Sequence, residues 1–127
     1  MTTRSRIALA LSLLALLGAP GLLPAAARAE AAPPRTVEIV ARRFQFTPAE
    51  VTLRRGEPVV LRLRSEDVVH GFFTRALGID ATIDPGAPLE LPLTPKEAGR
   101  FPVICDHFCG AGHGGMKMTI VVVDATP

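Results

Sequence analysis

From Val37 onward, apolar and polar positions alternate in short runs. Val37 and Ile39 flank Glu38, Val51 and Leu53 alternate with Thr52 and Arg54, and Val59, Leu61 and Leu63 alternate with Arg62 and Arg64. A period of two sends one set of side chains inward and the other into water, the mark of a half-buried strand. Leu89, Leu91 and Leu93 repeat the period, but Pro92 lacks an N–H and confines that run to a sheet edge or an irregular stretch. Phe101–Ile104 and Met118–Val123 complete the set, the last run being apolar enough to lie centrally. Turn chemistry separates the runs at Arg55-Gly56-Glu57-Pro58, Asp84-Pro85-Gly86 and Glu97-Ala98-Gly99. No helical period follows the first thirty residues, and no internal repeat is present. The pattern predicts an all-β chain folded as a Greek-key β-sandwich.

The front of the chain reads differently. Arg4 and Arg6 precede an apolar run from Ile7 to Leu17, broken by Gly18, Pro20, Gly21 and Pro24, and Ala27-Arg28-Ala29 supplies small residues for cleavage. This is the layout of a helical secretory signal peptide over residues 1–29, and the apolar run is shorter than the roughly 20 residues a membrane span requires. Ser5 separates the two arginines, so the signal is of the Sec type, exporting an unfolded chain to a periplasmic or otherwise extracytoplasmic location. Membrane attachment is expected only if the signal stays uncleaved. Residues 30–36 form an Ala/Pro-rich lead-in, and 37–127 the domain, a length suited to one core.

Charge changes little once the signal is set aside. Removing Arg4, Arg6 and Arg28 takes the formal charge from +2 to −1, so the basic balance of the precursor is a targeting effect. Without a basic surplus, nucleic acid is not an expected partner. No carboxylate pair, Ser/His/Asp set or organic-cofactor loop appears, which argues against an enzyme.

The chemistry is concentrated in one loop. Residues 105–116 read Cys-Asp-His-Phe-Cys-Gly-Ala-Gly-His-Gly-Gly-Met, holding both cysteines and two of the three histidines of the chain. Thiolate, imidazole and thioether together select copper over magnesium, calcium or iron. The loop lies between the last two expected strands, so the sheet fixes both its ends. The third histidine, His70, follows Asp67-Val68-Val69 at the end of another expected strand, an end that a Greek-key sandwich can place beside the final hairpin. Plainer readings stand beside this one. Two cysteines of an exported domain commonly form a disulfide, although Cys105 and Cys109 would close only a small ring with little loop entropy. His70 taken alone reads as a buried histidine, Met118 as core packing, and His107 as either an exposed loop residue or an additional ligand. Phe44, Phe46, Phe72, Phe73 and Phe101 read as core or site-shielding residues, with Phe72 and Phe73 as a candidate apolar docking face.

The run from Phe46-Thr-Pro-Ala-Glu-Val through Gly56-Glu-Pro-Val59 to His70-Gly-Phe72 resembles the cupredoxins. The later Cys105-x3-Cys109-x3-His113-x2-Met116 resembles the binuclear copper (CuA) loop of subunit II of haem–copper oxidases and of nitrous oxide reductase. Gly78-Ile-Asp80, Asp84-Pro-Gly86 and Leu93-Thr-Pro95-x3-Gly99 are also similar to the subunit II domain. The resemblance implies two coppers per chain, one being possible, with Cys105 and Cys109 as bridging thiolates and His70 and His113 each on one metal. Met116 and the backbone carbonyl of His107 would be the weak ligands. Family members usually carry glutamate where this chain has His107, so the role of that carboxylate toward magnesium does not carry over. With no Trp or Tyr and no transmembrane hairpin in evidence, the chain is not expected to be a complete oxidase subunit.

Three functions follow. The first is periplasmic electron transfer through a CuA-like site, with c-type cytochromes or a terminal oxidase as partners. The second is copper storage or delivery to an oxidase, which the same soft ligands suit. The third is a mononuclear blue-copper protein using His70, Cys109, His113 and Met116.

Overall fold

The computed structural model describes residues 31–126, and the expected export signal at 1–29 lies outside the described residues. Residues 31–34 are exposed and without regular structure, and strand β1 (Arg35–Arg42) begins just after them. The described residues form an all-β sandwich of two sheets. In the first, β2 (Gln45–Thr47), β1, β4 (Val59–Ser65) and β7 (Leu89–Leu93) lie in that order. In the second, the order is β3 (Glu50–Arg54), β9 (Lys117–Val123), β8 (Gly99–Ile104), β5 (His70–Thr74) and β6 (Ile79–Ile83).

The period-two pattern explains why the sheets close on one another. Parallel pairing of β1 with β4 sets Val37 beside Leu61 and Ile39 beside Leu63, so the apolar sets of both strands share a face. Parallel pairing of β3 with β9 does the same for Val51 with Ile120 and Leu53 with Val122. Ile39, Leu53, Leu61, Leu63, Phe72, Ile83, Val103 and Ile120 are fully buried between the layers. Each such side chain contributes about 1.5–3 kcal/mol of transfer free energy. β9 is central, held by β3 on one side and β8 on the other, and β7 is an edge strand with Pro92 opposite Val60, both as expected. Among the described residues, no helix is long and apolar enough to cross a membrane.

Two placements differ from expectation. His70 opens β5 rather than ending a strand, because Val68 and Val69 lie in a loop. Side chains there compete for the backbone: Asp67 N–H donates to Ser65 Oγ at 3.2 Å and Val68 N–H to Asp67 Oδ1 at 2.7 Å, which a ladder would not allow. Phe72 is no docking residue. It points into the core, meeting Phe46 edge to face at 5.5 Å, while Phe73 on the opposite face is half-buried.

Candidate metal centre

Sheet register brings the two parts of the candidate site together. β5 runs antiparallel to β8 with Phe73 opposite Ile104, so the start of β5 lies against the chain leaving β8. That chain is the loop to β9, closed at its base by Cys105 N–H on the Met116 carbonyl at 3.0 Å. A single 3₁₀ turn at His113–Gly115 then delivers Met116 to the sheet.

At this junction the sulfurs and one imidazole converge. Cys105 and Cys109 are free thiols, each 4% exposed, with sulfurs 3.6 Å apart. His70 is fully buried and turns Nδ1 toward Cys105 Sγ at 3.9 Å. Met116, 1% exposed, sets Sδ 3.8 Å from Cys109 Sγ. The His107 carbonyl oxygen lies 3.1 Å from Cys105 Sγ, whereas the His107 residue as a whole is exposed. The donor atoms of His70, Cys105 and Cys109 all fall within 4.8 Å of one another. His113 is not part of that trio. Its Nδ1 is nonetheless buried without a hydrogen-bond partner among the described residues, and its ring meets Phe108 edge to face at 5.3 Å.

Around the Cys105 sulfur there are more acceptors than protons. One S–H cannot serve the His107 carbonyl, Cys109 Sγ and His70 Nδ1 together, and Gly71 N–H already donates to the sulfur at 3.4 Å. Burial pushes the Cys109 thiol up to about 11, the adjacent Cys105 adds to the rise, and Arg43 opposes it weakly. For Asp67, burial acts upward, but hydrogen bonds from Arg43 N–H, His70 and Val68 N–H outweigh it and hold the carboxyl at about 2.

Close backbone approach explains two glycine positions. A Cβ on Gly71 would stand 2.8 Å from Asp106 N and 2.7 Å from His107 N, and would collide with the Asp106 carboxylate. A Cβ on Gly112 would meet the Phe44 ring at 2.7 Å, so that ring, although 41% exposed and not a core residue, lies directly against the loop. Gly71→Ala is therefore expected to push the Cys105–Cys109 segment off β5, at about 1–3 kcal/mol of overpacking. Thermal melting of the purified variant would measure the stability loss, and titration with copper the accompanying loss of metal uptake. Unchanged values in both would mean that the close packing of Asp106 on Gly71 is not required.

Sequence reasoning did not single out Arg43, whose Nε donates to the Cys109 carbonyl at 2.8 Å, nor Asp67 as the partner of His70 Nε2 at 2.7 Å. The three-residue spacing of Asp67 and His70 was a legible clue, whereas nothing local marks Arg43. Phe108, 70% exposed, was also missed. With Arg43, Val68, Val69 and His107 it lines a shallow groove over Cys109.

Comparison with known proteins gives the family of the chain. A profile described as "Cupredoxin-like domain" matches residues 8–122. Cytochrome c oxidase subunit 2 of Thermus thermophilus is 34% identical over 87 residues, covering 68% of this chain and 64% of that protein. Nitrous-oxide reductase of Cupriavidus necator is 29% identical over 91 residues, covering 68% of this chain and 14% of the reductase. The chain thus spans less than two thirds of either relative. The crystal structure of the periplasmic domain of cytochrome oxidase subunit II from Bradyrhizobium japonicum shares the fold. It superposes with a TM-score of 0.65 over 71% of this chain and 84% of that one, at 19% identity. The two-sheet sandwich and the profile match together make this chain a member of the cupredoxin-like domain family.

Proposed function

We propose that the chain is an extracytoplasmic electron-transfer protein, not itself an enzyme, whose β8–β9 loop holds a binuclear copper centre of the CuA kind. The observation that carries this reading is the pair of free, buried sulfurs 3.6 Å apart, with His70 Nδ1 beside one and Met116 Sδ beside the other. Soft-metal bonds to sulfur are about 2.3 Å, so sulfurs at that separation can share a cation with little movement. His113 Nδ1 supports the same fit, since a buried nitrogen left without a partner costs about 1–3 kcal/mol that a ligand bond would offset.

In this reading Cys105 and Cys109 hold both coppers, His70 and His113 one each, and Met116 and the His107 carbonyl complete the set weakly. When bound, such a centre takes up and releases one electron spread over two metals. The residues of the chain supply the conditions for that. Burial of His70, Cys105, Cys109 and Met116 excludes water, and two strands and the Phe44 ring hold the loop, so few dipoles need to reorganise. The raised Cys109 thiol must give up its proton, so loading strengthens as pH rises toward about 11. We place the approach of a c-type cytochrome or terminal oxidase at the groove beside Phe108, and assign residues 1–29 to a cleaved Sec-type signal.

Metal content and electron paramagnetic resonance of the copper-loaded protein test the proposal. Two coppers per chain with one electron coupled to both nuclei is the expected result. One copper with an intense blue band would replace it with a mononuclear site. Cu(I) that passes to an apo-oxidase without redox cycling would replace it with copper delivery. Met116→Leu is expected to keep both metals and shift the potential, read by voltammetry, because only a weak ligand beside Cys109 is removed.

A further inference from the structure

His70 is gripped from the side away from the sulfurs. Its Nε2 lies 2.7 Å from Asp67 Oδ1, and the same carboxylate accepts Val68 N–H at 2.7 Å and, through Oδ2, Arg43 N–H at 2.8 Å. Arg43 also reaches the other half of the site, donating Nε to the Cys109 carbonyl at 2.8 Å. One turn between β1 and β2 therefore touches both the imidazole's carboxylate and the sulfur loop, and the adjacent Phe44 ring lies on Gly110 and Gly112.

We propose that Asp67, held by Arg43, is a positioning residue that keeps the His70 proton on Nε2 and its lone pair on Nδ1, facing Cys105. This rests on the reading of the loop as a metal centre, which gives the direction of that lone pair its purpose. A carboxylate offers only acceptors, so the ring atom against it must carry a hydrogen. A neutral imidazole has one such hydrogen, which leaves Nδ1 as the free donor 3.9 Å from Cys105 Sγ. The two other N–H groups on Asp67 prevent the carboxylate from turning away. A metal-ligating histidine needs this arrangement: a fixed tautomer, a fixed ring plane, and a more basic donor nitrogen. Arg43 extends the brace to Cys109, so the distance between imidazole and sulfur pair is set from outside the site.

Nitrogen-15 NMR of the purified, metal-free protein reads directly which ring nitrogen of His70 carries the hydrogen. Wild-type protein is expected to show the His70 proton on Nε2. Asp67→Ala is expected to give a mixture with Nδ1–H, and to weaken copper retention against a chelator by about 10–100-fold. Asp67→Asn retains an acceptor for Nε2–H and is expected to restore the tautomer. A wild-type proton on Nδ1 would overturn the assignment without recourse to any variant, and so would a folded Asp67→Ala protein with an unaltered tautomer. If copper fails to bind while the tautomer responds as described, the metal-centre reading falls and the positioning role stands. If two coppers bind while the tautomer ignores Asp67, the reverse holds.

Discussion

Replacing Cys105 with serine is expected to abolish the two-copper spectrum, leaving at most one metal per chain. The proposed centre has two sulfurs to hold two cations, and the Cys105 sulfur lies within 3.9 Å of Cys109 Sγ, the His107 carbonyl and His70 Nδ1. Serine keeps the shape and can still donate to that carbonyl, so the fold should survive. Its oxygen is a hard donor with a much higher pKa, and it does not bridge soft cations in place of a thiolate. Metal analysis and paramagnetic resonance on the same sample separate the outcomes. A serine variant that retained two spin-coupled coppers would show that Cys105 is not a bridge and would remove the basis of the assignment. Circular dichroism of the metal-free variant guards against trivial unfolding.

Phe72→Ala is expected to lower unfolding free energy by about 3–5 kcal/mol, measured as a fall in the urea midpoint without change of slope. Phe72 is fully buried, meets Phe46 at 5.5 Å, and sits in β5 between β6 and β8. A domain of this size has about 5–15 kcal/mol in all, so the loss is a large share. The same residue is two positions from His70, and the cavity would loosen the start of β5. Copper affinity should therefore fall as well. A loss below about 1 kcal/mol would mean that β5 is not seated in the core as described.

The two-sheet architecture was legible because alternation in β1, β3, β4 and β9 is a direct consequence of burying one face of each strand. The edge position of β7 was legible from a single missing N–H at Pro92. β2, three residues long, carries too short a pattern to read, and β6 does alternate over Ile79–Ile83 but was read only as a motif. The sulfur loop could be picked out because its residues are contiguous in sequence. The sequence did not reveal that Val68 and Val69 belong to a loop, because short polar side chains at Ser65 and Asp67 capture the backbone there. Nor did it reveal Arg43, since its contact with Cys109 spans 66 positions and depends on how β1 is set against the second sheet.

The β3–β9 pairing has a consequence for the order of events in the life of the chain. Val51 waits for Ile120 and Leu53 for Val122, so the second sheet cannot close until β9 has been synthesised. Met116 stands immediately before that closing strand, and the hairpin carrying the sulfurs has no second wall without it. A chain that stops short of β9 consequently has thiols but no pocket, and under the proposed function metal capture would have to wait for that strand to close the domain against water.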